Sequence, residues 1–154
     1  MTDPTLPMDG GCRCGRLRFS ITRSPLFTGV CHCTGCQKMS ASAFSTTVCV
    51  PSDGFAVTQG DAAIGGLHGD QAKHHHCDWC KSWVFTRIEP DMGFVNVRAT
   101  MLDDPSWFVP FVETYTDEAL PWAKTPARHS FATVPAMEQY QPIVAEYAAT
   151  ARVT

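Results

Sequence analysis

The sequence has no apolar run near the roughly 20 residues that a helix needs to cross a bilayer, which argues against a membrane-spanning protein. It has no basic block either. Its 12 Lys and Arg stand against 15 Asp and Glu, a net charge of −3, so the electrostatic footprint of a nucleic-acid binder is missing. Residues 1–11 carry Asp3, Asp9 and two prolines without an apolar stretch, so they do not read as a secretory leader, and a cytoplasmic location is expected. Helix signals are sparse. A turn opening at Thr116-Asp117-Glu118 is cut by Pro121, and the helix formers of 136–149 are interrupted by Pro142. No repeat is present beyond the cysteine groups.

What remains points to a mostly β domain. Residues 16–22 alternate apolar and polar side chains, as a half-buried strand does. Further strands are expected over 43–50, 55–59, 83–88, 92–97 and 108–115, the last weakened by Pro110 and therefore placed at an edge. Residues 60–71, with four glycines, read as a loop or loose hairpin. The expected organisation is an N-terminal tail (1–8), one domain (9–125) and a C-terminal tail or covering arm (126–154). Of the 154 residues 44% are apolar, enough for an ordinary core. Metal is thus not needed merely because the chain is small.

The abundant feature is cysteine. In a reducing compartment eight cysteines point to metal or catalysis rather than disulfides. Seven fall into three tight groups: Cys12-x-Cys14, Cys31-x-Cys33-x-x-Cys36 and Cys77-x-x-Cys80. Zinc favours four tetrahedral ligands. A closed set of four is structural, and three ligands with a vacant position are the catalytic pattern. Counting gives a closed site of Cys12, Cys14, Cys77 and Cys80 and an open one of Cys31, Cys33 and Cys36. Spacing does not force this, because Cys33, Cys36, Cys77 and Cys80 are equally legal as a closed set. Cys49, alone in an apolar strand, reads as core packing.

The stretches Gly11-Cys12-Arg13-Cys14-Gly15, Cys31-His32-Cys33-Thr34-Gly35-Cys36-Gln37-Lys38 and His76-Cys77-Asp78-Trp79-Cys80 resemble the glutathione-dependent formaldehyde-activating enzyme family, which also includes centromere protein V. Met101-Leu102-Asp103-Asp104-Pro105 and Leu120-Pro121-Trp122 add to the likeness, which covers about residues 9–125. The resemblance implies a β-tent-like fold of small antiparallel sheets built around a structural zinc. It implies two zinc ions, the first C-x-C and the last C-x-x-C holding the structural one and the triplet holding the other at the glutathione site. It implies carbon–sulfur lyase-type chemistry, joining formaldehyde to glutathione or the reverse. Two features depart from the family. Lys81 stands where glycine usually follows the last cysteine, and it is strained there if the backbone is left-handed. The run His74-His75-His76 is also unusual.

The expected partners are a small thiol such as glutathione and a small aldehyde, with no nucleic acid and no membrane; a homodimer is compatible with the sequence. Cys31, Cys33 and Cys36 are the candidate catalytic ligands. Three thiolates leave a divalent zinc with net negative charge and weak Lewis acidity, which favours delivery of a substrate thiolate over polarisation of the carbonyl. Lys38 is a candidate partner for a glutathione carboxylate, against an ordinary surface lysine. Trp122 is a candidate substrate contact, against a plain wall of the fold. His32, between two ligands, reads as a supporting or surface histidine, against a proton carrier or ligand. The three consecutive histidines read as a solvated loop. The rival function is a non-catalytic, zinc-stabilised binding or chaperone-like module; a third is zinc storage or sensing.

Overall fold

Alternation decides where the chain turns its apolar side. In the strand β2 (Arg18–Ile21), Phe19 and Ile21 are buried while Arg18 and Ser20 stay partly exposed. β2 lies between β1 (Met8–Gly11) and β5 (Phe55–Gln59) in a three-stranded antiparallel sheet. These positions come from a computed structural model that describes residues 4–67 and 69–150. Residues 1–3 of the expected tail, His68 of the expected loop and residues 151–154 of the expected arm lie outside the described residues.

A second sheet has eight strands: β3 (Phe27–Cys31), β4 (Ser45–Pro51), β6 (Ala62–Gly65), β7 (Ala72–Cys77), β8 (Trp83–Ile88), β9 (Phe94–Val97), β10 (Val112–Thr114) and β11 (His129–Ser130). They run in the order β11-β10-β3-β4-β9-β8-β7-β6. β10 pairs in parallel with β3 and β11, and the other pairings are antiparallel. The class is mostly β, as expected. The core is one cluster fed by both sheets, with Leu17, Phe19 and Phe55 from the side of the smaller and Val48, Val50, Val84, Phe85, Val95 and Val97 from the larger. In β8, Trp83, Val84, Phe85 and Thr86 are all buried, the pattern of a strand covered on both faces. Among the described residues no helix is long and apolar enough to cross a membrane.

Four expectations are corrected. The helix α1 (Thr34–Ser40) was not anticipated; it begins inside the triplet, where Cys33 caps it and the Cys33 sulfur accepts from the Cys36 N–H at 3.3 Å. The helix α2 (Met137–Thr150) runs through Pro142. Proline there removes the N–H that would reach back one turn and crowds the carbonyl it would have met, but burial of Ile143 and Tyr147 holds the helix against the molecule. The strand around Pro110 is shorter and interior: β10 begins after the proline, and β11 pairs outside it. The histidine run is the strand β7 and not a solvated loop. The His75 ring stacks on Phe85 at 4.5 Å and 10°, while the His74 and His76 rings lie against Trp83. A flat, half-buried ring satisfies a cross-strand pair as well as phenylalanine does.

Candidate metal centres and the adjoining cavity

The C-x-C group follows β1 of the smaller sheet, and the C-x-x-C group starts at Cys77, the last residue of β7 of the larger. The sulfurs of Cys12, Cys14, Cys77 and Cys80 all lie within 4.8 Å of one another. Cys12 and Cys77 are buried in the core cluster, Cys80 is half-buried and Cys14 is exposed. The Cys12–Cys14 and Cys14–Cys77 sulfur separations are 3.4 and 3.7 Å. A tetrahedron of thiolates around zinc, with bonds of about 2.3 Å, has edges of about 3.8 Å. The four-sulfur cluster fits such an ion, which would fasten the two sheets together.

The turn holding this cluster has a cost. Lys81 takes φ 60°, the left-handed backbone in which a side chain is strained. Its N–H donates to Cys77 O at 3.1 Å, and its ammonium donates to Asp78 O.

Cys31, Cys33 and Cys36 form the second cluster, again within 4.8 Å, and all three are half-buried. Cys31 ends β3, opposite Ser45 of β4 on one side and Thr114 of β10 on the other. Cys33 and Cys36 occupy the cap and first turn of α1. Gln37 binds the loop down, its Nε2 donating to His32 O at 2.6 Å and Glu118 O at 3.0 Å. His32 is completely buried, with Nε2 3.1 Å from Glu113 Oε2, and the carboxylate also accepts from Thr125 and Ser130. His32 is thus a support behind the ligands rather than a surface residue.

Three sulfurs this close cannot ionise independently. The hydrogen bond from Cys36 is the largest cause that brings the Cys31 thiol down to about 5. The same bond, with burial, pushes Cys36 up, and burial pushes Cys33 up. Their proximity favours the negative charge on Cys31 and disfavours it on Cys33 and Cys36. A divalent cation is what would let all three ionise together, so the donor set fits zinc here as well.

Cys31 and Cys36 line a cavity of about 380 Å³ on one face of the large sheet. Its walls include Ser45, Trp83, Arg98, Tyr115, Val134 and Tyr140. Val134 and Tyr140 come from the C-terminal segment, which β11 and α2 lay across this face. Neither Lys38, exposed on α1, nor Trp122, 73% exposed, lines this cavity. Cys49 is buried in β4, at 2% exposure, where burial raises its thiol to about 12. Sequence reasoning missed Arg98, Ser45 and Tyr115. The one local signal was the arginine in the mostly apolar run at 94–99, where Asn96 is the other polar residue.

The family model described as "Glutathione-dependent formaldehyde-activating enzyme" matches residues 7–118. No curated protein matches the chain. A crystal structure of a Rhodobacter sphaeroides protein is similar at a TM-score of 0.52 and 18% identity, covering 62% of this chain and 88% of that one. At that identity the likeness concerns the fold alone.

Proposed function

Because the chain belongs to the glutathione-dependent formaldehyde-activating enzyme family, we propose that it is a zinc-dependent enzyme of the carbon–sulfur lyase type, adding a small aldehyde to a thiol such as glutathione or running the reverse. The supporting observation is the division of the cysteines. Four sulfurs close on one another beside the core, and three gather in a second cluster, of which Cys31 and Cys36 stand in the wall of a cavity large enough for a small molecule. Cys12, Cys14, Cys77 and Cys80 would hold a structural zinc, and Cys31, Cys33 and Cys36 a second one. When bound at the trio, zinc supplies a centre at which a substrate thiol is kept as thiolate near neutral pH.

The rest falls to the chain itself. The His32–Glu113 pair and the two Gln37 hydrogen bonds hold the trio's loop in one geometry. Phe27, Val112, Val134 and Tyr140 wall the cavity and limit water around the reacting groups. Addition forms one C–S bond, opens the carbonyl π bond and moves the thiol's proton to the carbonyl oxygen. No oxidant or reductant is needed. Burial, and then the negative charge of the trio, raise the Tyr115 hydroxyl above its ordinary range, so it stays protonated and able to donate a hydrogen bond to the carbonyl oxygen that receives the proton. The C-terminal segment serves as a covering arm over this site.

The test pairs metal analysis with one substitution. The native chain should carry two zincs, one of them readily chelated. Cys33→Ser should abolish thiol-dependent turnover of aldehyde while keeping the fold and one zinc. Full activity in that variant ends this proposal. A native chain that keeps both ions but turns over no thiol–aldehyde pair favours the binding-module reading.

A further inference from the structure

Arg98 is a buried cation, 6% exposed, that no carboxylate pairs among the described residues. Its guanidinium lies 4.3 Å from the centre of the Trp83 ring, and one Nη donates to Asn96 O at 3.2 Å. Its Nε is buried without a hydrogen-bond partner, and the Ser45 hydroxyl is buried with only the Cys36 sulfur beside it as an acceptor. Both residues line the cavity that holds Cys31 and Cys36, and both also line a second cavity of about 450 Å³. Among the described residues no Asp, Glu or Lys lines the first cavity, so Arg98 is the one permanently charged side chain among them there.

An unpaired buried charge is costly unless something compensates it. The trio's sulfurs contribute part of that compensation through space, but no Arg98 nitrogen hydrogen-bonds to a sulfur. What the guanidinium lacks is an acceptor of the shape it fits best, a carboxylate. The Trp83 face holds the guanidinium in place, so little ordering remains when a ligand arrives.

We propose that Arg98 and Ser45 form a carboxylate-binding subsite in the cavity beside Cys31 and Cys36, so that this site selects thiols that carry a carboxylate over neutral thiols. That class includes glutathione and much smaller mercapto acids. The thiol half of the statement rests on the function proposed above; the carboxylate subsite does not.

Calorimetric titration of the zinc-loaded full chain tests both halves. The probes are 3-mercaptopropionate, 2-mercaptoethanol and butyrate, which carry both groups, the thiol alone and the carboxylate alone. The wild type should bind 3-mercaptopropionate about tenfold or more tighter than 2-mercaptoethanol. Arg98→Met should erase that preference and Ser45→Ala should reduce it. Equal affinity for the two thiols in the wild type overturns the proposal, and that comparison stands even if Arg98→Met does not fold. Equal weakening of both thiols in Arg98→Met also overturns it, because Arg98 then only balances the sulfurs' charge. Butyrate binding that depends on Arg98, with neither thiol engaging the trio, supports the subsite and removes the thiol chemistry.

Discussion

Replacing Cys77 by serine tests the four-sulfur cluster most directly. Cys77 is fully buried, belongs to the core cluster and lies 3.7 Å from the Cys14 sulfur. Serine removes one ligand and leaves a hydroxyl in a site closed to water. An unsatisfied buried hydroxyl alone costs about 1–3 kcal/mol. The lost ligation adds to this. Structural zinc contributes about 10–16 kcal/mol of apparent binding energy, comparable with the whole stability of an ordinary domain at about 5–15 kcal/mol. Even a combined loss of about 3 kcal/mol, at about 2–4 °C per kcal/mol for a chain of this size, lowers Tm by about 10 °C. Thermal melts followed by circular dichroism, with zinc counted per chain, should show at least that drop and the loss of one ion. Cys33→Ser is the control, since its sulfur is half-buried and outside the core cluster. A Cys77→Ser chain that melts within about 2 °C of wild type with both ions bound would refute the reasoning.

Lys81→Gly should stabilise the chain by up to about 1 kcal/mol, because glycine adopts φ 60° without strain; an unchanged or lower Tm would show that the ammonium bond to Asp78 O outweighs the backbone term. Arg18 donates to both oxygens of Asp103, at 2.8 and 2.5 Å, and this holds the carboxyl below its usual range. The folded-state pKa is depressed, so the stabilisation is present above the unfolded value of about 4 and is lost as pH falls through the lower folded value. The pair is solvent-exposed, so its contribution is about 0.5 kcal/mol. Asp103→Asn should therefore melt slightly below wild type near neutral pH, with the difference vanishing in acid; a difference that grows in acid would reverse the sign argued here.

Parts of this architecture were legible because they depend on neighbours in the sequence. The period-two pattern at Phe19 and Ile21, the β-branched run of β4 and the short apolar runs of β8 and β9 all report local geometry, and the strands appear where that pattern lies. The strain at Lys81 was legible only as a condition set by the family resemblance, through the glycine that usually stands there, and the backbone meets that condition. Local rules misled where a neighbour from elsewhere overrides them. Polar rings at 74–76 suggested solvent until Phe85 and Trp83 of the next strand gave them flat partners. Pro142 suggested a break until burial of Ile143 and Tyr147 held α2 in place.

By itself the sequence determined the mostly β class and the number and spacing of the cysteines, and hence that the chain carries sulfur clusters able to hold metal. Those follow from composition and short-range pattern. Only the tertiary structure decided which cysteines meet, since Cys14 and Cys77 are 63 residues apart and two groupings satisfied the same count. It alone set Glu113 behind His32, 81 residues away, and put Arg98 and Ser45 in one cavity wall with the trio. Such juxtapositions depend on how strands from distant parts of the chain register in one sheet. That register is set by burying the whole core at once, not by any segment alone.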